Sequence, residues 1–146
     1  RWMMQGGGHL AELRALTELR LAVEPVAASA AATLATSEQR EELKALARRL
    51  YQLADRADSQ DFLESDIRFH ALLLEASGNP IFVSLKGALA ETLRGRVAWG
   101  LMPREAALMA ITGHAHVAWL VAGGDREAAF HATVAMLGGL RRELGQ

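Results

Sequence analysis

The sequence predicts an all-α protein, an antiparallel bundle of six to seven helices, and three observations carry that prediction. Only three prolines and 5% aromatic residues lie in a background rich in Ala, Leu, Arg and Glu, which favours helices over a sandwich or barrel. No stretch sustains the period-two alternation of a strand. Capping residues and prolines fall at intervals that suit helices joined by short loops, so sequence neighbours become spatial neighbours. At 146 residues the chain is one domain's worth of sequence, able to bury about two-thirds of its unfolded surface.

Taken in order, the first helix is expected from about His9, with Leu13, Leu16, Arg20 and Val23 at helical spacing on one face. Glu24-Pro25 interrupts it, since proline removes a donor and crowds the preceding turn, and a short Ala-rich helix follows from Val26 to about Leu34. Thr36 with Gln39 has the form of a capping box and opens a helix through about Arg56. Asp58 with Asp61 reads as the next cap, opening Ser59 to Ala76. Gly78-Asn79 stops that helix, and Pro80 suits the first position of another that reaches about Leu101. Pro103 begins an uncharged helix, Gly123-Gly124 ends it, and Asp125 caps a last helix through about Leu144.

Charge and composition exclude several classes. Sixteen Lys and Arg nearly cancel seventeen Asp and Glu, a net charge of −1, so the domain lacks the basic face of a nucleic-acid clamp. The absence of cysteine removes disulfides, thiolate zinc sites and a cysteine nucleophile, and fits a cytoplasmic protein. The first eight residues have no apolar core, so they are no signal peptide, and Gly6-Gly7-Gly8 reads as a flexible joint. Residues 106–124 carry no charge over a length that reaches a membrane span, but Thr112, His114 and His116 interrupt them and no Lys/Arg asymmetry flanks them. A central helix surrounded by others is the reading adopted, with no membrane partner.

No nucleophile elbow, phosphate-binding loop or His-Glu-x-x-His pair occurs, which leaves an enzyme little to be built from. One constellation stands above the background. Asp66 and His70, four apart on one helix, share a face with Phe62, Leu63, Leu73 and Leu74, so the pair looks inward. A desolvated carboxylate and imidazole need partners, either each other or a divalent metal. His114 lies in the uncharged helix, where a polar side chain is a core hydrogen-bonder or a ligand. One carboxylate and two imidazoles suit zinc, nickel or another first-row ion. Arg20 sits in the apolar stripe of the first helix and must pair internally with Glu24 or coordinate an anion. Arg94 and Arg96 are further anion candidates. Trp99 and Trp119 read as core or pocket wall, and Met102, Met109 and Met136 as core filler.

Several motifs together resemble a known family. The run from Glu18 to Ala28, containing Glu18-Leu19-Arg20 and Glu24-Pro25, resembles the opening of the ligand-binding (FCD) domain of FadR-type GntR-superfamily transcription regulators. The likeness continues through Asp66, Phe69 and His70, then Ala76-Ser77-Gly78-Asn79-Pro80, and closes with His114, its spacing to Gly124-Asp125, and Ala128-Ala129. It spans about residues 10–144.

The resemblance implies an all-helical effector-binding and dimerisation domain over residues 9–146, which is not an enzyme. It also implies an amino-terminal winged helix-turn-helix domain outside this chain, through which alone the parent protein meets DNA. Residues 1–8 then read as the end of the interdomain linker. The effector implied is a small organic or sugar acid, and Trp2, as a linker remnant, leans toward a sugar acid. Family members commonly hold a divalent metal on an Asp, a His four later and two further His. The first three map onto Asp66, His70 and His114, and the fourth position is Met136, a poor substitute for imidazole on zinc or nickel. Either a three-ligand site remains, completed by water or effector, or the metal is lost. The three-ligand site is the reading adopted. The resemblance also places Arg20 at the effector cavity, with Arg94 as second choice and Arg96 a distant third. Two readings compete: a small helical metal-dependent hydrolase, and a plain dimerisation module.

Overall fold

The computed structural model describes residues 8–143, and within them the chain forms seven α-helices and no strand. They are α1 (Gly8–Leu34), α2 (Ser37–Gln52), α3 (Gln60–Ala76), α4 (Pro80–Ser84), α5 (Lys86–Ala98), α6 (Leu108–Ala122) and α7 (Arg126–Glu143). The expected linker lies outside the described residues up to position 7, as does Trp2, and Gly8 is the first residue of α1.

The expected break at Glu24-Pro25 does not occur, and α1 runs unbroken through Pro25. Proline forfeits only the bond to the carbonyl four residues back. Packing outweighs that loss, because Pro25 is buried and the small face Ala27, Ala28, Ala31 and Ala32 lies against the core. The capping box forms as expected: Thr36 N–H donates to Gln39 Oε1 at 2.9 Å, and Gln39 N–H to Thr36 Oγ1 at 3.0 Å. However, α2 stops at Gln52, and a 3-10 turn, Ala54–Arg56, follows.

The cap of α3 is Ser59, whose hydroxyl accepts from Phe62 N–H at 3.2 Å, rather than Asp58. Gly78 takes a φ of 71°, which closes α3, and Asn79 caps α4 through its side-chain oxygen. The expected fifth helix divides at Leu85 into α4 and α5. Pro103 does not begin a helix. Residues 99–107 run as a loop held against the 3-10 turn by Ala57 N–H to the Arg104 carbonyl (2.7 Å) and Ala106 N–H to the Ala54 carbonyl (2.8 Å). Asp125 caps α7 as expected, its Oδ1 accepting from Ala128 N–H at 3.1 Å.

The most enclosed element is α3, buried from Phe62 to Ala76 on nearly all sides. It packs on α1, α2 and α5, while α7 lies along α1 and α6. Phe69, Leu72 and Leu73 join Leu43, Leu50, Val117 and Val121 in the main core. A second cluster, Leu63, Leu74, Leu89 and Leu93, fills the space among α1, α3 and α5.

The uncharged helix α6 is not surrounded. Ile111, His114, Val117, Ala118 and Val121 face inward, but Leu108 and Met109 on the opposite side are 73% and 70% exposed. Trp119, expected in the core or a pocket wall, is 47% exposed, with Lys44 and Arg48 of α2 each 5.7 Å from its ring centroid. Among the described residues, no helix is long and apolar enough to cross a membrane.

Candidate functional site

Two helices bring the three predicted ligands together. The i,i+4 spacing on α3 projects Asp66 and His70 side by side, and the inward stripe of α6 delivers His114. His70 Nε2 and His114 Nε2 stand 3.1 Å apart, and Asp66 Oδ1 lies 3.2 Å from the first and 3.1 Å from the second. All three residues are buried. Phe69 fixes both imidazoles edge-on, with centroid distances of 5.4 Å to His70 and 4.9 Å to His114.

The partners of the outer ring nitrogens set the tautomers. His114 Nδ1 is 2.6 Å from the Ala110 carbonyl, which can only accept. His70 Nδ1 meets the Glu24 carboxylate in a very short contact, and a carboxylate with its charge also only accepts. Each Nδ1 therefore carries hydrogen, and in the neutral ring each Nε2 turns a lone pair toward Asp66. Three acceptors at mutual distances near 3.1 Å require a cation or a proton among them. Donor atoms sharing one first-row ion stand about 3.0–3.4 Å apart. The residues thus fit a divalent ion, with Glu24 behind His70 as the outer carboxylate that orients such ligands. The internal ion-pair alternative uses the same groups.

Charges around the cluster are strongly coupled. Burial pushes the Glu24 carboxyl up, but the Arg20 guanidinium and His70 outweigh it and hold it at about 2. Burial likewise opposes the charge on Asp66, and the facing imidazoles of His114 and His70 outweigh it and hold the carboxyl well below the usual carboxylate range. For His70, burial disfavours the charged ring, yet the Glu24 carboxylate raises its pKa above the ordinary value.

Arg20 takes up the internal pair with Glu24. Its Nε donates to Glu24 Oε2 at 2.6 Å, and its Nη2 lies 3.3 Å from His70 Nδ1. Its buried Nη1 has no hydrogen-bond partner among the described residues, and the side chain lines the cavity beside Asp66, His70 and His114. Arg94 is elsewhere: it is exposed and lines a surface groove with Glu64, Arg68 and Lys86. Two residues on a helix differ by about 200°, so it is Arg96 that turns into the cavity. Arg96 continues the buried stripe Leu89 and Leu93, a signal present in the sequence. Met136 of α7 lines the same cavity and packs over Gly113. Spacing along α1 offers Glu24 only Arg20 as a partner, whereas its contact with His70 spans 46 residues.

Comparisons with known proteins bear on what such a site serves. The FCD domain family matches residues 15–139. The HTH-type transcriptional repressor NanR of Cronobacter sakazakii is 44% identical over 77 residues, 52% of this chain and 28% of its own length. The galactonate operon transcriptional repressor of Escherichia coli is 29% identical over 94 residues, 64% of this chain and 40% of its own. The chain therefore spans less than half the length of these curated relatives. A solved Streptococcus agalactiae GntR structure superposes on 94% of this chain and 61% of its own, with a TM-score of 0.75 at 22% identity, which shows a common fold.

Proposed function

The chain belongs to the FCD domain family, and from that premise we propose that it is the effector-sensing and dimerisation domain of a bacterial GntR-type transcription regulator, binding a small organic or sugar acid in the cavity beside Asp66, His70 and His114. The observation that carries this reading is the buried Arg20 Nη1, a charged donor beside that cluster with no partner among the described residues. Leaving such a donor unsatisfied is costly, and a carboxylate oxygen satisfies it.

In this reading Asp66, His70 and His114 hold a zinc or nickel ion, which supplies positive charge for the acid's carboxylate. Glu24 fixes the His70 ring and neutralises part of Arg20, while Met136 fills space on the wall. With Glu24 committed to both partners, no further carboxylate is free beside the cluster among the described residues to serve as a general base, which favours a sensor over a hydrolase. An acid bound between α1, α3 and α6 changes the domain only by its differential affinity for two arrangements. The helix α1 carries Arg20 and lies along α7, and so passes such a change along the bundle. DNA binding belongs to a winged helix-turn-helix domain outside these residues, and the regulator works in the cytoplasm.

The domain is read as a homodimer, and the uncharged outward stripe of α6, with Leu108, Met109 and Trp119, offers a second copy a surface. The experiment for the effector reading is calorimetric titration of Arg20→Gln and wild type with a panel of carboxylic acids. The variant is expected to remain folded by circular dichroism and to lose acid binding. Binding at wild-type affinity would remove Arg20 from the site.

A further inference from the structure

The cavity wall has an unusual division of labour. Its polar side chains are Arg20, Asp66, His70, His114 and Arg96, all of them charged or imidazole. Every other lining residue is Ala, Leu, Met, Phe or Pro, contributed by α3, α5, α6, α7 and the loop 99–107. Among the described residues, no Ser, Thr, Asn, Gln, Tyr or Trp side chain reaches it. Asp66, His70 and His114 are turned toward one another, so Arg20 Nη1, together with an ion held by that cluster, is what the described residues offer an anion.

We infer that the effector is a carboxylic acid with an apolar body, and that the cavity discriminates against polyhydroxy sugar acids. The inference rests on the acid-sensing reading above and narrows it. A sugar acid needs a donor or acceptor for each hydroxyl, and a hydroxyl buried against Leu93, Met102 or Leu137 loses its water without replacement. A site that recognises hydroxyls does so with neutral hydrogen-bonding groups placed for them. Here one pole attracts the carboxylate, and the rest of the surface rewards alkyl or aryl contact. The weak sequence leaning toward a sugar acid is set aside on this ground.

The test is calorimetric titration of the zinc-loaded protein with 2-hydroxyhexanoate and with gluconate. Both are six-carbon monocarboxylates with a 2-hydroxyl, so attraction to cations and chelation are matched, and they differ only in the hydroxyls further along. We expect 2-hydroxyhexanoate to bind about a hundredfold more tightly. Leu140→Gln, which places an amide on the wall at a partly buried position, is expected to bring the ratio under about tenfold. Gluconate binding as well or better in wild type would overturn the inference and leave acid sensing intact. An unchanged ratio in Leu140→Gln would also overturn it, since selectivity would then not arise from the wall. Failure of either acid to bind would remove the acid-sensing reading and the inference with it.

Discussion

Glu24 is buried, charged and shared between Arg20 and His70, so its removal reaches the cluster without touching it. Glu24→Gln is expected to weaken zinc affinity by about 10–100-fold, the usual consequence of losing an orienting carboxylate. Competition with a chromophoric chelator measures this, and unchanged affinity would show that Glu24 serves only Arg20. The variant is also expected to lose several kcal/mol of stability, about 3–5, because Arg20 keeps its charge in a buried place. At this scale the sequence was legible where partners share a helix. Asp66 and His70 are four apart, and their inward face could be read from Phe62, Leu63, Leu73 and Leu74. Glu24 and His70 meet across 46 residues, and no local spacing encodes that. Arg94 and Arg96 were separable in principle, since only Arg96 continues the stripe of Leu89 and Leu93.

Among the elements, caps were the most legible feature because their chemistry is local. Thr36→Ala is expected to cost about 1 kcal/mol by removing one half of the box that starts α2. The midpoint of urea unfolding reads this, and an unmoved midpoint would contradict it. A second device joins helix ends that the sequence keeps far apart. Arg40 on α2 donates to the carbonyls of Ala32, Thr33 and Ala35 at the end of α1 and to Val121 and Ala122 at the end of α6. It thereby supplies donors to the carbonyls at both helix ends, of which that of Val121 also accepts from Gly124 N–H at 3.1 Å. Arg40→Ala is expected to cost about 3 kcal/mol, with only partial recovery in Arg40→Lys, whose single ammonium cannot span both ends. Denaturant unfolding of the two variants checks that order. Prolines were read less well for a related reason. A Pro penalty is a local quantity, and at Pro25 the packing of α1 overrides it, whereas Pro103 falls in a loop fixed by backbone bonds to residues 54 and 57.

For the molecule as a whole, the bundle was legible from composition and punctuation, but the identity of its most enclosed helix was not. Absence of charge marked α6 as central, yet α3 is the enclosed one despite its Glu64 and Arg68, because those side chains emerge at its one open edge. Uncharged residues on the outer face of α6 are a property of the surface. If a second copy covers that face, Met109→Glu is expected to give monomers in sedimentation equilibrium with the helical spectrum intact, and persistent dimers would place the interface elsewhere. If Asp66, His70 and His114 form a metal-holding pole for an acid effector, elemental analysis of tag-free protein, wild type beside His70→Ala, is expected to find near one equivalent of zinc or nickel per chain in the wild type and little in the variant. No metal in either would leave the cluster as an internal ion pair and remove the ion from the effector site.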